Sequence, residues 1–113
     1  MISGGGGNIA YSIAFRIAAG MFLGEKQRVI IHLLDMPGKQ QEILEGVKAE
    51  LHDCAFPLLH DIVCTSDLSV AFKDCDYNFL LGSKPRTADM ERRDLLKDNG
   101  KIFIDIGTAI NDN

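Results

Sequence analysis

The chain has 113 residues, with 12 Lys and Arg against 16 Asp and Glu for a net charge of −4, and is 46% hydrophobic and 25% charged. That is the composition of a folded domain rather than a disordered or fibrous chain. Its interspersed signs offer no basic stripe for a nucleic-acid backbone and no basic helix for an anionic membrane surface. No run approaches the ~18 apolar residues that span a bilayer, and the first residues lack the basic head and apolar run of a secretory signal. The expectation is one cytoplasmic domain with no nucleic-acid or membrane partner. Cys54, Cys64 and Cys75 are odd in number and 10 and 11 residues apart, which suits neither a disulfide framework nor paired metal ligands. They read as free thiols, and no metal site is expected.

Helical and strand signals alternate along the chain, the pattern of parallel strands joined by crossover helices. Only Met1, Ile2 and Ser3 precede the glycines Gly4 to Gly7, so a first strand is expected to be largely missing. From Asn8 to Ala19, Ile9, Ile13 and Ile17 form an i, i+4, i+8 stripe that predicts a helix ending at Gly20, with the isoleucines facing the core. Arg28 to Leu34 reads as a buried strand, with Asp35 at its carboxyl end. Pro37-Gly38 turns the chain, and Ile43, Leu44, Val47 and Leu51 mark a second helix closing near Asp53. Ile62 to Thr65 is a short strand, Leu68 to Phe72 a helical turn, and Tyr77 to Leu81 a strand ended by Gly82. Asp89 to Asn99 is helical. Beyond it, Ile102, Phe103, Ile106, Ala109 and Ile110 keep helical spacing, while the alternation of Ile102, Ile104 and Ile106 also fits a strand.

Three constellations bear chemistry. Gly4, Gly5, Gly6 and Gly7, followed by Asn8, Ile9 and Ala10, give a Gly-x-x-Gly-x-x-Ala spacing at the start of a helix. Glycines let the backbone approach a ligand closely, and unpaired amides with the helix dipole favour a pyrophosphate. A flexible linker has the same composition. Asp35 at the end of the next strand can accept hydrogen bonds from both hydroxyls of an adenosine ribose, and its charge would repel a 2′-phosphate, which favours NAD over NADP. A solvated carboxylate at a strand end is the bland alternative. Arg86 and Arg92, six residues apart, could converge on a small carboxylate through bidentate guanidinium contacts, or belong to a solvated basic helix start offset by Glu91.

Five segments taken together resemble the amino-terminal half of malate dehydrogenase, of the cytosolic-type branch. They are Gly4-x-x-Gly7-Asn8-Ile9-Ala10-Tyr11-Ser12, His32 to Asp35, Glu50 to Leu59, Ala71 to Asp74, and Pro85-Arg86 running on to Met90 through Leu96. The resemblance covers essentially the whole chain. It implies an α/β fold, a Rossmann-type doubly wound parallel sheet, forming a partial NAD-binding domain over residues 1–113 without the catalytic carboxyl-terminal domain. The implied activity is that of an oxidoreductase of the tricarboxylic acid cycle, the reversible NAD-dependent oxidation of malate to oxaloacetate, by a protein that is typically a homodimer when full length. By matching motif, Gly4 to Ala10 would cradle the pyrophosphate, Asp35 would hold the ribose, Gly82 would let its strand pass close to the cofactor, and Asn99 would touch NAD. Arg86, on a loop that closes over the site, and Arg92 would bind the substrate.

Against the family pattern, Asn8 stands where Gln is usual, Asp89 where a Gly is usual, and Ile106 where a cofactor-contacting Gln is common. The family's proton-exchanging His–Asp pair and a third substrate-binding Arg have no counterpart in this sequence. His32 inside a strand, His52 on a helix and His60 ahead of a strand read as structural or surface residues. No catalytic residue is therefore expected within the chain, which alone would bind NAD weakly and show no turnover. One alternative is a degenerate, non-catalytic dinucleotide-binding or interaction module, favoured by Ile106 and the short first strand; another is a lactate-type 2-hydroxyacid dehydrogenase, disfavoured because Arg86 suits a second substrate carboxylate.

Overall fold

The computed structural model describes residues 1–82 and 92–112. In chain order it contains β1 (Ile2–Ser3), α1 (Asn8–Ala18), β2 (Val29–Leu34), α2 (Lys39–Asp53), β3 (Leu59–Thr65), α3 (Leu68–Phe72), β4 (Phe79–Leu80) and α4 (Arg92–Asp112). The four strands form one parallel sheet in the order β3-β2-β1-β4. The chain first moves outward from β1 to β2 and β3, then crosses to the other side of β1 to lay down β4. The order therefore reverses beside β1, and in open α/β sheets the crevice at such a reversal, outside the carboxyl ends of the strands, is where ligands bind.

The strand ahead of the glycines is, as expected, cut short to two residues, yet it still joins the sheet. Two residues suffice because β1 is paired on both sides: Ile2 sits opposite Leu33 of β2 and Phe79 of β4, and Ser3 opposite Leu34 and Leu80. The strand expected over Ile62–Thr65 starts earlier, at Leu59, where its ladder with β2 begins across an irregularity at Val29 and Ile30. The strand expected over Tyr77–Leu81 is shorter, limited to the two residues that face β1. Residues 102–110 belong to one continuous helix through Gly100 and Gly107, as their helical spacing indicates and against the alternative strand. The alternation of Ile102, Ile104 and Ile106 gives way because Ile106 and Ala109, one helical turn apart, are the residues that bury.

Two further corrections concern which side chains face the core. The buried face of α1 is Ala10, Ala14 and Ala18, each 1% exposed or less, while Ile9 is 66% exposed and Ile13 and Ile17 only flank the core. Both stripes have the same period. Close approach of helix to sheet beside the glycine turn selects the small one, since an isoleucine pointing straight down would hold the two backbones apart. β2 is not buried on both faces: Val29, Ile31 and Leu33 are covered by α1 and α2, whereas Ile30 on the opposite face is 54% exposed. Leu34 shares that second face with Met1, Ala71, Phe72, Ile106 and Ala109, a smaller core under α3 and α4.

All three cysteines are free thiols, with Cys54 exposed and Cys64 and Cys75 half-buried. Among the described residues no helix is long and apolar enough to cross a membrane, and no cluster of His, Cys, Asp or Glu could hold a metal ion. Burial, with Glu45 nearby adding to it and Lys48 opposing it, pushes the Cys64 thiol from 9.0 to about 11. The fold therefore prefers the neutral thiol. Its contribution is complete below pH 9, where the unfolded thiol is also neutral, and is lost as pH rises toward 11. Denaturant titrations from pH 8 to 11 should show wild type losing stability more steeply than Cys64→Ala, and parallel slopes would contradict this account.

Candidate functional site

The carboxyl end of β1 runs into a turn made only of glycine. Gly4 adopts φ +63°, and a Cβ placed there would lie 2.8 Å from the Gly82 Cα and 3.0 Å from its nitrogen. A Cβ on Gly82 would in turn meet the Gly4 nitrogen at 3.0 Å. Backbone thus packs on backbone across the point where the strand order reverses. The Ser3 hydroxyl, on a residue only 2% exposed, accepts the Gly82 N–H at 3.0 Å and fastens the two strand ends together. Ser3 was not among the expected site residues; its signal is a buried hydroxyl in an otherwise apolar strand, adjacent to the glycines.

The turn's own amides are largely spoken for. Gly5 donates to the Leu34 carbonyl at 2.9 Å, Gly7 to the Gly4 carbonyl at 3.0 Å, and Gly6 to Asp35 Oδ2 at 2.9 Å. The first intrahelical bond of α1 comes from Tyr11, donating to the Gly7 carbonyl at 3.0 Å. The N–H groups of Asn8, Ile9 and Ala10 precede it and have no acceptor inside the helix, and the N-cap Gly7 offers no side-chain cap. These three amides, at the positive end of the α1 dipole, are suited to an anion.

Asp35 faces the glycine turn. Besides Gly6, it accepts the Met36 N–H on Oδ1 at 2.8 Å, so each carboxylate oxygen is held by one backbone donor and keeps a lone pair for a further one. Gln40 from the first turn of α2 lies alongside, its Oε1 2.7 Å from where a Gly6 Cβ would be. The structure therefore brings together Gly4 to Ala10, Asp35 and Gly82. Asn99 lies half-buried on α4, which packs against α3. Arg86 and Asp89 fall outside the described residues, and Arg92 is the first residue of α4.

Ile106 is 4% exposed within the smaller core, so its side chain is structural. His32 Nδ1 lies 2.8 Å from the Ala71 carbonyl and 3.4 Å from the Cys75 sulfur, on the face of the sheet covered by α3. His60 pairs with Arg28 at the surface, and His52 is exposed on α2.

A parallel sheet with a glycine turn at its strand-order reversal, and a carboxylate at the end of the neighbouring strand, defines a dinucleotide-binding domain. Residues 1–113 match the family described as lactate/malate dehydrogenase, NAD binding domain, and the chain belongs to that family. Among solved structures it is similar to the malate dehydrogenase of Naegleria fowleri, with 50% identity, a TM-score of 0.95 and coverage of 99% of this chain and 34% of that one. It is also similar to a leucine-to-arginine variant of the lactate dehydrogenase of Trichomonas vaginalis in its apo form (40% identity, TM-score 0.91, 96% and 32% coverage). The Trichomonas enzyme in complex with NADH and oxamate matches at 39% identity and a TM-score of 0.87, with the same coverage. The chain spans about a third of the length of these proteins.

Two substitutions probe the geometry. Gly4→Ala combines positive-φ strain with a backbone clash and should cost about 2–4 kcal/mol in urea unfolding; a change within 0.5 kcal/mol would show that the contact yields freely. Asp35→Asn is isosteric, but its amide NH2 must face one of the two backbone donors. NADH affinity measured by calorimetry should fall roughly 10- to 100-fold, and an unchanged affinity would show that the carboxylate takes no part.

Proposed function

We propose that this chain forms the cofactor-binding part of an NAD-dependent malate dehydrogenase that interconverts malate and oxaloacetate in the tricarboxylic acid cycle. The observation that carries the reading is the Gly4–Gly82 backbone approach with Asp35 turned onto the same glycine turn. The amides of Asn8, Ile9 and Ala10 receive the pyrophosphate, where no Cβ from Gly4 to Gly7 intervenes, and Asp35 accepts the hydroxyls of the adenosine ribose. Gly82 lets the end of β4 close onto the Gly4 turn and so pass near the cofactor, and Asn99 contributes from α4. Bound NAD supplies a nicotinamide ring that exchanges a hydride with C2 of the substrate.

Arg86 and Arg92 supply the substrate end. Malate and oxaloacetate carry two carboxylates, and a guanidinium at position 86 neutralises the one that lactate and pyruvate lack. The higher identity to the Naegleria malate dehydrogenase than to the Trichomonas lactate dehydrogenase supports the same choice. The proton on the C2 hydroxyl is exchanged by residues outside these 113, and the whole enzyme works as a cytoplasmic homodimer. Both features that favoured a degenerate module have structural accounts: Ile106 is a core residue, and β1 forms with partners on both sides.

In the enzyme that contains this chain, oxaloacetate should be reduced far more efficiently than pyruvate. Arg86→Leu should lower kcat/KM for oxaloacetate about 100-fold or more, as expected when one partner of a desolvated ion pair is removed, while leaving NADH affinity near wild type. Equal use of pyruvate by the unmodified enzyme would overturn the malate reading.

A further inference from the structure

The carboxylate of Asp35 is only as well placed as the peptide that follows it. That peptide links Asp35 to Met36, and its N–H is the donor that holds Asp35 Oδ1 at 2.8 Å. The carbonyl oxygen on the other side of the same peptide plane accepts from the Gln41 side-chain amide at 3.0 Å, and the next carbonyl, of Met36, accepts from the same nitrogen at 3.1 Å. Gln41 is half-buried at the third position of α2, its own backbone N–H donating to the Gly38 carbonyl at 3.0 Å. The intervening loop has few means of holding itself. Met36 is 71% exposed, Pro37 has no N–H to donate, and Gly38 sits at φ +88°.

We infer that Gln41 is a positioning residue for cofactor recognition: its amide clamps the Asp35–Met36 peptide to α2 and so holds the Asp35 carboxylate at the angle needed to receive the adenosine ribose. The inference rests on the NAD reading above and adds to it the device that orients the carboxylate. The chemistry is specific to a donor. One NH2 group has two hydrogens, and the two carbonyls within hydrogen-bond reach of it can take both. An apolar side chain of similar length leaves both carbonyls to solvent. A carboxylate of the same length would set acceptor against acceptor.

The test uses the enzyme that contains this chain, titrated by calorimetry with NADH and with NADH lacking the 2′-hydroxyl of its adenosine ribose, alongside amide hydrogen exchange at Gly6 and Met36. Wild type should prefer NADH by roughly tenfold, the worth of a hydrogen bond to a charged group. In Gln41→Met and Gln41→Glu that preference should fall below about threefold, because NADH binding weakens while binding of the deoxy analogue barely moves. Exchange at Gly6 and Met36 should quicken in both variants. A loss of general stability would weaken both ligands equally and leave the preference intact, so a preserved preference overturns the inference. Should wild type bind no NADH, the functional reading falls and the cofactor role of Gln41 falls with it; exchange then tests the clamp alone, and unchanged protection at Gly6 and Met36 in the variants overturns that as well.

Discussion

The contact of Gly4 with Gly82 is the constraint on which the rest of the structure turns. Two strand ends that lie side by side in the sheet, though far apart in sequence, meet there without any side chain between them, and the buried hydroxyl of Ser3 closes the gap. Because that junction is so thin, the first turn of α1 starts immediately above the sheet. The amides of Asn8 to Ala10, without acceptors inside the helix, then follow directly on the glycine turn, and the neighbouring carboxylate of Asp35 comes within reach of that turn. Geometry at the backbone level thus sets the electrostatics of the site.

Much of the fold was legible because local and long-range signals agree. Helix α2 is bounded by Gly38 and Asp53, as its apolar spacing indicated, and Leu44, Val47 and Leu51 are its buried residues. The glycine turn and Asp35, which the structure brings together, were legible for a similar reason: a glycine run before a helix and an acid after a strand both show in a local window. What escaped was tertiary. The isoleucine and alanine stripes of α1 share one period, and only the distance to the sheet decides between them. The lengths of β3 and β4 depend on what their neighbours offer, which no local window contains.

Gln41 and Ser3 escaped for another reason. Each acts by satisfying backbone groups that belong to a distant or folded-back segment. Glutamine at the start of a helix and serine at the end of a strand are unremarkable in sequence. Their contribution is visible only once the chain has folded and brought to them the backbone groups they satisfy. Ile106 teaches the converse: a position compared with a polar family counterpart proves to be an ordinary part of the apolar interior.

The alanine face of α1 gives the helix the character of a lever. Ala18 lies ten residues from Asn8, roughly 15 Å along the axis at 1.5 Å per residue, and Ala10, Ala14 and Ala18 along that length all pack into the same core. Added bulk at Ala14 or Ala18 would tilt the whole rod and raise or lower its anion-facing tip, whereas Ile9, beside that tip but turned to solvent, can vary freely. Ligand affinity in this molecule is accordingly open to drift from positions remote from any ligand, along a line that a map of contact residues alone would not reveal.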